Sequence, residues 1–379
     1  MSWILDVAQL PDLSRGATLL GTGGGGDPHI GRMMVEAAIA EYGPVTIADA
    51  DEIDDDALVI STAMMGAPTV MVEKIPKGDE AVRALRTLEH QLGRRADATI
   101  PMECGGINSM IPLVVGAVTG LPVIDGDGMG RAFPELQMET FGVYGVRASP
   151  MVVAGDHGET VLIDAGADNA RVEWLARGCC IRMGGAALIA EYPMSGADAK
   201  RTAIHGTLSL GIRLGRAIRE ARERREHPVA ALTTALSGTL YRHLRVLFEG
   251  KVVDVERRTV EGFTRGRASI AAFGGTGGAG GAGGGATARL DISFQNENIV
   301  AELDGVVVAI VPDLICVLEA DSGEPITCET LRYGQRVTVV AISTPDMMRT
   351  PEALAVFGPA CFGLDRPFTP IEELARLPG

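Results

Sequence analysis

The glycine-rich segment LLGTGGGGDP (19–28) has the composition of an anion-binding loop. Glycines let a backbone approach a ligand closely, and amide groups at the start of a following helix can donate to an anion. No Lys-Ser/Thr pair ends the run and a helical pattern precedes it, so we expect no nucleotide. A tight turn between two helices is the alternative. The candidate substrate-binding residues here are Gly23, Gly24, Gly25, Gly26 and Asp27.

The segment PMECGGINS (101–109) places a carboxylate at the end of a predicted strand. Glu103 is therefore a candidate general base or metal ligand. Asn108 is either a substrate contact or a helix N-cap, and Ser109 is favoured as a cap. Cys104 can serve as a nucleophile or a soft metal ligand, although a lone loop cysteine is more often incidental.

The segment DGDGMGRAFPELQ (125–137) follows another apolar strand. Asp125 and Asp127 flank a glycine, and paired carboxylates bind a hard cation or share a proton. Arg131 can pair with a carboxylate and hold it ionised, and Glu135 is a candidate substrate contact. A glycine-rich turn capped by the aspartates is the structural alternative. Together with Glu103, the two aspartates form the candidate ligand set for one divalent metal, zinc or magnesium.

The segment FQNENIVA (294–301) clusters amides and a carboxylate at a predicted strand edge. Asn296 and Glu297 either line a cleft between two domains or belong to a polar β-turn, and the sequence favours neither. Histidines offer less, because no His-Glu-x-x-His motif or other local histidine pair encodes a zinc site. A Gly-x-Ser-x-Gly motif is also missing, which argues against a serine hydrolase.

Strands and helices alternate in the first half of the chain, which predicts an α/β domain with a mainly parallel sheet over residues 1–166. Predicted strands cover 57–62, 98–102 and 121–127, with helices over 79–93 and 107–119, and a β-hairpin over 150–164. Ligands of such sheets bind at loops after the carboxyl ends of strands. We therefore expect the site at the loops 64–68, 103–108 and 125–135.

The second half of the chain, residues 167–379, predicts a domain that is helical at its start and then mostly β. Apolar residues at near-helical spacing indicate a long helix from about residue 197 to 225. Apolar runs separated by turn signals then predict several strands. The segment 274–285, GGTGGAGGAGGG, reads as a glycine-rich insertion.

The charge and composition of the chain exclude several classes of protein. A formal net charge of −15 over 379 residues does not suit a nucleic acid partner. No apolar run approaches the ~20 residues of a membrane helix, and the N-terminus does not resemble a signal peptide. Six cysteines without a zinc-finger spacing fit a reducing compartment, so we expect a cytoplasmic location.

Five segments together resemble one known family, the S-methyl-thiohydantoin desulfurase family, which is associated with hydantoinase and oxoprolinase-type proteins. The resemblance covers nearly the whole chain and is most specific around residues 125–138. Cys104 departs from the family pattern, which has an aliphatic residue there, and this argues against a nucleophilic role. The segments are LGTGGGGDP, PMECGGINS, DGDGMGRAFPELQM, FQNEN and VPDLI.

This resemblance implies a hydrolase acting on a five-membered cyclic amide-like ring, either an S-methyl thiohydantoin or a hydantoin-like ring. Water attacks the carbon that bears the S-methyl group, and a thiol leaves. Our hypothesis assigns water activation to Glu103 or Asp127, with or without a divalent metal. The glycine amides at 23–26 would stabilise developing negative charge or hold a substrate carboxylate. Arg131 would orient the substrate or an acidic partner.

Two other functions stay open at this point. The protein can be a small-molecule or anion-binding protein without chemistry, or a subunit of a hydantoinase-type assembly. The expected partners are a small-molecule substrate and further copies of the chain, with neither nucleic acid nor membrane.

Overall fold

The computed structural model describes residues 1–67, 70, 74, 76–273 and 288–374. The predicted glycine-rich insertion at 274–285 and residue 68 of the predicted loop lie outside the described residues. The helices are α1 Leu10–Leu20, α2 Pro28–Tyr42, α3 Asp79–Leu92, α4 Ile111–Thr119, α5 Thr140–Val143, α6 Asn169–Arg182, α7 Gly196–Thr202, α8 Thr207–Arg224, α9 Pro228–Leu236 and α10 Pro351–Phe357.

The strands fall into two large sheets and one short pair. The first sheet and the short pair contain β1 Trp3–Ile4, β2 Thr46–Ala48, β3 Leu58–Gly66, β4 Ala98–Ile100, β5 Val123–Ile124, β6 Gly126–Asp127, β7 Met151–Ala154, β8 Thr160–Ile163, β9 Ala186–Ser195 and β10 Ile204–His205. The second sheet contains β11 Leu244–Val260, β12 Phe263–Ala272, β13 Arg289–Gln295, β14 Glu297–Leu303, β15 Val306–Ile310, β16 Leu314–Glu319, β17 Pro325–Ile326 and β18 Arg336–Ile342.

The first sheet has the order β1-β2-β5-β4-β3-β9-β7-β8. Its centre, from β2 to β3, is parallel, and antiparallel strands extend it on both sides. The carboxyl ends of β3, β4 and β5 therefore meet at one edge, which is where the predicted ligand loops begin. The α/β class of this region is confirmed.

Helices cover both faces of this sheet because its strands are apolar on both sides. Helix α3 buries Ala84, Leu85 and Leu88 against one face, together with Ile60 of β3. Side chains of the other face, such as Val59 and Ala63, belong to a larger core that includes residues of α6 and α10.

The second sheet is antiparallel throughout, with the order β15-β14-β13-β12-β11-β18-β16-β17. The predicted mostly β character of the C-terminal region is confirmed. Within the described residues, no helix is both long and apolar enough to cross a membrane.

The predicted long helix at 197–225 is wrong in one respect, because two helices occupy this range. Helix α7 ends at Thr202, and Ile204–His205 forms β10, which pairs antiparallel with Gly126–Asp127 of β6. Gly206, at a φ of 75°, is the N-cap residue of α8, which begins at Thr207. Tertiary pairing overrides the helical pattern here, and this pairing fixes the backbone of Asp127.

Candidate functional site

The glycine loop lies between α1 and α2, as a helix–helix turn would, and it also contacts two other segments of the chain. A Cβ on Gly24 would lie 2.0 Å from Oε1 of Glu297, and one on Gly25 would lie 2.4 Å from the Cα of Gly105. The carbonyl oxygen of Gly25 accepts a hydrogen bond from the amide of Ile107 at 2.8 Å. Glycine is therefore required here by close approach to two other loops.

A small buried pocket lies at this junction. Its walls combine the end of β3, the 102–108 loop, the 133–136 loop and the start of β14. The pocket encloses about 30 Å³, which is room for one or two water molecules. The predicted site residues that line it are Gly25, Gly26, Glu103, Asn108, Glu135, Asn296 and Glu297.

Glu103 lies on the wall of this pocket, and both its carboxyl oxygens accept hydrogen bonds. Asn108 Nδ2 donates to Oε1 at 2.7 Å, and the Phe133 amide donates to Oε2 at 3.1 Å. Asn108 also bonds to both backbone polar groups of Met64, at the end of β3. Asn108 thus positions Glu103, and Ser109 is not the helix cap, because α4 begins at Ile111.

Burial raises the pKa of the Glu103 carboxyl to about 8, and the nearby charge of Asp127 adds to this rise. The hydrogen bonds from Asn108 and Phe133 and the charge of Arg131 oppose it. A carboxyl group with a pKa near neutrality can take or give a proton under ordinary conditions, which is the property of a general acid–base catalyst.

Asp127 holds the 102–108 loop through the Cys104 thiol and does not line the pocket. Its Oδ1 accepts the amides of Met129 (2.7 Å) and Gly130, while the Cys104 thiol donates to Oδ2 at 3.0 Å. Burial raises the pKa of the Cys104 thiol well above its usual value. Cys104 is consequently a protonated donor here and not an activated nucleophile.

Asp125 and Asp27 both cap helices. Asp125 Oδ1 accepts the amides of Leu208 (2.9 Å) and Ser209 (3.1 Å) at the start of α8, and Asp27 accepts those of His29 and Ile30 in α2. The capping alternative therefore describes Asp125, while Asp27 caps α2 at the end of the helix–helix turn that was the alternative for the glycine run. Neither aspartate lines the pocket.

The three carboxylates proposed as metal ligands do not converge. Asp125 faces α8, Asp127 is bonded to its own turn and to Cys104, and Glu103 faces the pocket. Across the described residues, no group of three His, Cys, Asp or Glu side chains is arranged to hold a metal ion. The ligand set expected from the sequence does not fit a zinc or magnesium site.

Arg131 is fully buried, and its guanidinium donates to backbone carbonyls instead of facing the pocket. The Nε–H donates to the carbonyl of Ala132, the Nη1 group to those of Pro312 and Asp313, and the Nη2 group to that of Asn298, at 3.0–3.2 Å. This placement replaces the expected contact with substrate. Arg131 ties the 125–137 segment to the second sheet.

Asn296 and Glu297 line the pocket from the second domain, as in the cleft alternative, and Asn296 also forms the turn between the paired strands β13 and β14, as in the turn alternative. Asn296 adopts a φ of 57°, and its Oδ1 accepts the amide of Thr264 at 2.8 Å. Glu297 is buried, and its Oε2 has no hydrogen-bond partner within the described part of the chain. Burial and the charge of Glu103 raise the pKa of Glu297 well above its usual value.

Glu135 closes the pocket on its outer side, where Gln137 donates to its carboxylate. An ion pair that the sequence pattern did not indicate holds the 133–136 loop in place. Arg177 bonds to Glu173 at 2.7 Å and donates to the Pro134 carbonyl at 2.9 Å, while Glu173 accepts the amide of Leu136 at 3.1 Å. Helix α6 thereby fixes the outer wall of the pocket.

A second acidic feature lies in the core behind Asp127. Glu139 and Glu191 are fully buried, and their carboxyl groups lie within hydrogen-bonding reach of each other, with no further partner among the described residues. Burial raises the pKa of each well above its usual value, and the charge of Glu191 raises that of Glu139 further. The sequence signal was the single carboxylate in the apolar strand AALIAEYPM (186–194), and sequence reasoning missed it.

Replacing Glu191 with Gln is expected to raise the free energy of unfolding at pH 8 and to leave it nearly unchanged near pH 4.5. A carboxyl with a raised folded-state pKa contributes its full stability below the unfolded-state pKa and loses it as the pH rises towards the folded-state pKa. The loss is about 1.4 kcal/mol per pH unit for each such group. Denaturant unfolding across this pH range measures the difference.

Glu249→Gln is the matched control, because Glu249 is exposed on β11. This variant should follow the parent protein at every pH. Equal unfolding free energies for the Glu191→Gln variant and the parent at both ends of the range would contradict the raised pKa of this carboxyl.

Fold and site together define a two-domain α/β protein with a buried carboxyl pocket where its domains meet. Two family profiles match the sequence: S-Me-THD-like, N-terminal domain, over residues 8–165, and S-Me-THD-like, C-terminal domain, over residues 167–371. The chain therefore belongs to the S-Me-THD-like family, and the resemblance seen in the sequence is confirmed.

Other comparisons bear on the fold alone. No curated protein matches the chain. The crystal structure of a protein from Chromobacterium violaceum is similar over 97% of this chain and 100% of that chain, with a TM-score of 0.77 and 23% sequence identity. At this identity, the similarity shows a shared fold and does not transfer an activity.

Proposed function

We propose that the protein is a hydrolase acting on a five-membered cyclic amide-like ring, of the S-methyl thiohydantoin or hydantoin type. The observation that carries this proposal is the buried carboxyl of Glu103, whose pKa of about 8 suits proton transfer near neutral pH. The S-Me-THD-like family supports the ring type.

In the proposed reaction, water adds to the ring carbon that carries the S-methyl group, and ionised Glu103 takes one proton from it. The resulting tetrahedral intermediate collapses with loss of the sulfur group, which takes the proton held by Glu103 and leaves as methanethiol. The proton of the added hydroxyl passes to the ring nitrogen as the C–O bond becomes a carbonyl, so the C(SCH3)=N unit becomes C(=O)–NH and the products are a hydantoin and methanethiol. No oxidant is needed, and water is the co-substrate.

The glycine loop and Glu297 would assist this step. Gly25 and Gly26 line the pocket, so their amide groups are the candidates to stabilise the negative charge that develops on the ring. Protonated Glu297, with an unpaired Oε2, can donate a hydrogen bond to the intermediate.

The pocket encloses about 30 Å³, so it must widen before a ring can enter. Glu135 is the charged lining residue that is partly exposed, and its hydrogen-bonding partner is the neutral Gln137. We therefore assign pocket opening to displacement of the Glu135 side chain.

The test is to incubate the purified protein with an S-methyl thiohydantoin and to follow release of methanethiol and formation of the hydantoin. Stoichiometric formation of both products supports the proposal, and heat-denatured protein is the control. Binding of the ring without turnover would favour the alternative, a non-catalytic binding protein. When hydantoin itself is the starting ring, its disappearance measures ring opening.

The remaining sequence expectations become part of this proposal. We place the protein in the cytoplasm as a homo-oligomer with a small-molecule substrate, and its six unpaired cysteines support a reducing compartment. Because the expected metal ligands do not converge, no step is assigned to zinc or magnesium. Metal analysis before and after chelation, and size measurement in solution, test these points.

A further inference from the structure

A wide groove lies on the outer side of the pocket, between helix α6 and the start of β12. It encloses about 910 Å³ and shares two lining residues with the pocket, Glu135 and Arg177. The side chains of Glu135 and Arg177 thus lie between the groove and the pocket, and Glu135 is the one of the two that is not held in an ion pair with Glu173. Anything that extends from a ring bound in the pocket past Glu135 enters this groove.

The floor of the groove is one face of helix α6. Trp174, Gly178 and Ile181 follow one another at helical spacing on this face, with Phe263 of β12 opposite. Trp174 is 62% exposed, with the guanidinium of Arg171 over its ring at 4.1 Å, and Ile181 is 50% exposed. A contiguous exposed apolar surface of this kind marks a binding site. A Cβ on Gly178 would meet no atom within 4 Å, so the middle of the floor is open space.

The charges of the groove are mainly negative. Glu173 and Arg177 neutralise each other at 2.7 Å, and the guanidinium of Arg177 stacks on the Phe263 ring at 4.6 Å. The other charged lining residues are Glu135, Glu159 and Glu261 against Arg182, and Arg171 adds one positive charge beside Trp174. The carboxylates still outnumber the cations, so an anionic group is disfavoured here, whereas an uncharged apolar group would bury Trp174 and Ile181.

We propose that this groove is a specificity subsite that takes an uncharged, aromatic or branched apolar substituent on the substrate ring. The inference rests on the proposed function and names its substrate class: rings that carry a benzyl-like or isobutyl-like arm. Trp174 supplies the main contact, since aromatic surfaces dominate the recognition of such groups.

Gly178→Leu tests the subsite, because the leucine fills the open floor. A leucine also favours a helix more than glycine does, so the variant should fold. We expect kcat/KM for a benzyl-substituted S-methyl thiohydantoin to fall at least about tenfold, while the value for the unsubstituted ring stays unchanged. Ala230→Leu, which adds a leucine to an exposed position of α9, is the matched control.

A second measurement does not depend on turnover. The chain has two tryptophans, Trp3 and Trp174, so Trp3→Phe leaves Trp174 as the sole indole reporter. Saturable change of its fluorescence on titration with 5-benzylhydantoin, but not with a carboxyethyl-substituted hydantoin, is the expected result. Saturation without turnover of any ring would support the subsite and overturn the proposed hydrolase activity.

Three results would overturn the subsite. One is an equal loss of kcat/KM for substituted and unsubstituted rings in the Gly178→Leu variant. Another is that the protein prefers rings with the carboxyethyl arm to rings with the benzyl arm. The third is turnover of the unsubstituted ring together with Trp174 fluorescence that 5-benzylhydantoin leaves unchanged, in which case the hydrolase activity stands and the groove does not bind the arm.

Discussion

Replacing Glu103 with Gln is expected to lower kcat/KM for an S-methyl thiohydantoin by about 10²–10⁴-fold, the usual contribution of a general acid–base group. Glutamine keeps the size of the side chain and can still accept from Asn108, but it cannot take a proton from water. Methanethiol release measures the effect. Glu249→Gln, on the exposed face of β11, is the matched control and should retain full activity.

The pH dependence of turnover by the parent protein should also show that Glu103 acts as a base. Because burial raises the pKa of Glu103 to about 8, the carboxyl is mostly protonated at pH 7, and its base form appears as the pH rises. Turnover should therefore increase through pH 8 in the parent protein and lose this rise in Glu103→Gln. Full turnover with an unchanged pH profile in that variant would exclude Glu103 as the base.

The Asp127→Asn variant should show whether Asp127 only shifts the pKa of Glu103 or takes part in the reaction itself. The charge of Asp127 is one cause of the raised pKa of Glu103, so its removal should shift the rise in turnover to lower pH without abolishing turnover. Loss of activity equal to that of Glu103→Gln, without a shift in pH dependence, would instead place Asp127 in the reaction.

Replacing Arg131 with Met is expected to lower the free energy of unfolding by about 3–5 kcal/mol, because several buried carbonyls lose their donor and each unsatisfied buried polar group costs about 1–3 kcal/mol. The variant would leave buried carbonyls of Ala132, Asn298 and the 312–313 segment without their donor. It would also remove the cation that opposes the raised pKa of Glu297. Denaturant unfolding at constant pH is the measurement.

Arg258→Met, at an exposed position of β11, is the control and should change stability by less than about 0.5 kcal/mol. Arg131→Lys should lie between the parent and Arg131→Met, because a lysine keeps the charge but not the fork of donors. If Arg131→Met unfolds at the same denaturant concentration as the parent, the buried guanidinium does not stabilise the contact between the two domains.

The sequence was a good guide wherever local pattern decides structure. Apolar strands at 57–62 and 98–102 predicted the parallel centre of the first sheet, and strand ends then predicted where Glu103 would lie. It could not decide between roles that one residue type fills equally well. Asp27 and Asp125 are both of a residue type that serves as a ligand or as a helix cap. Asp27 caps the helix that follows it, whereas Asp125 caps α8 through Leu208, which lies 83 residues further along the chain.

Partners that lie far apart along the chain could not be predicted from the sequence, for a different reason. Arg131 bonds to carbonyls some 170–180 residues further along the chain, and nothing near Arg131 in the sequence signals them. Glu139 and Glu191 are likewise brought together by the fold. The break at Ile204 depends on pairing with Gly126–Asp127, a contact that the local helical pattern hides.

The position of β9 has a consequence for dissecting the protein. The family profiles divide the chain between residues 165 and 167, yet β9, at Ala186–Ser195, pairs with both β3 and β7 inside the first sheet. A fragment that stops at the profile boundary would lose the strand that connects its hairpin to its parallel core. The two family domains are thus sequence units that share one folding unit, and we expect co-expressed fragments to be soluble where the first fragment alone is not.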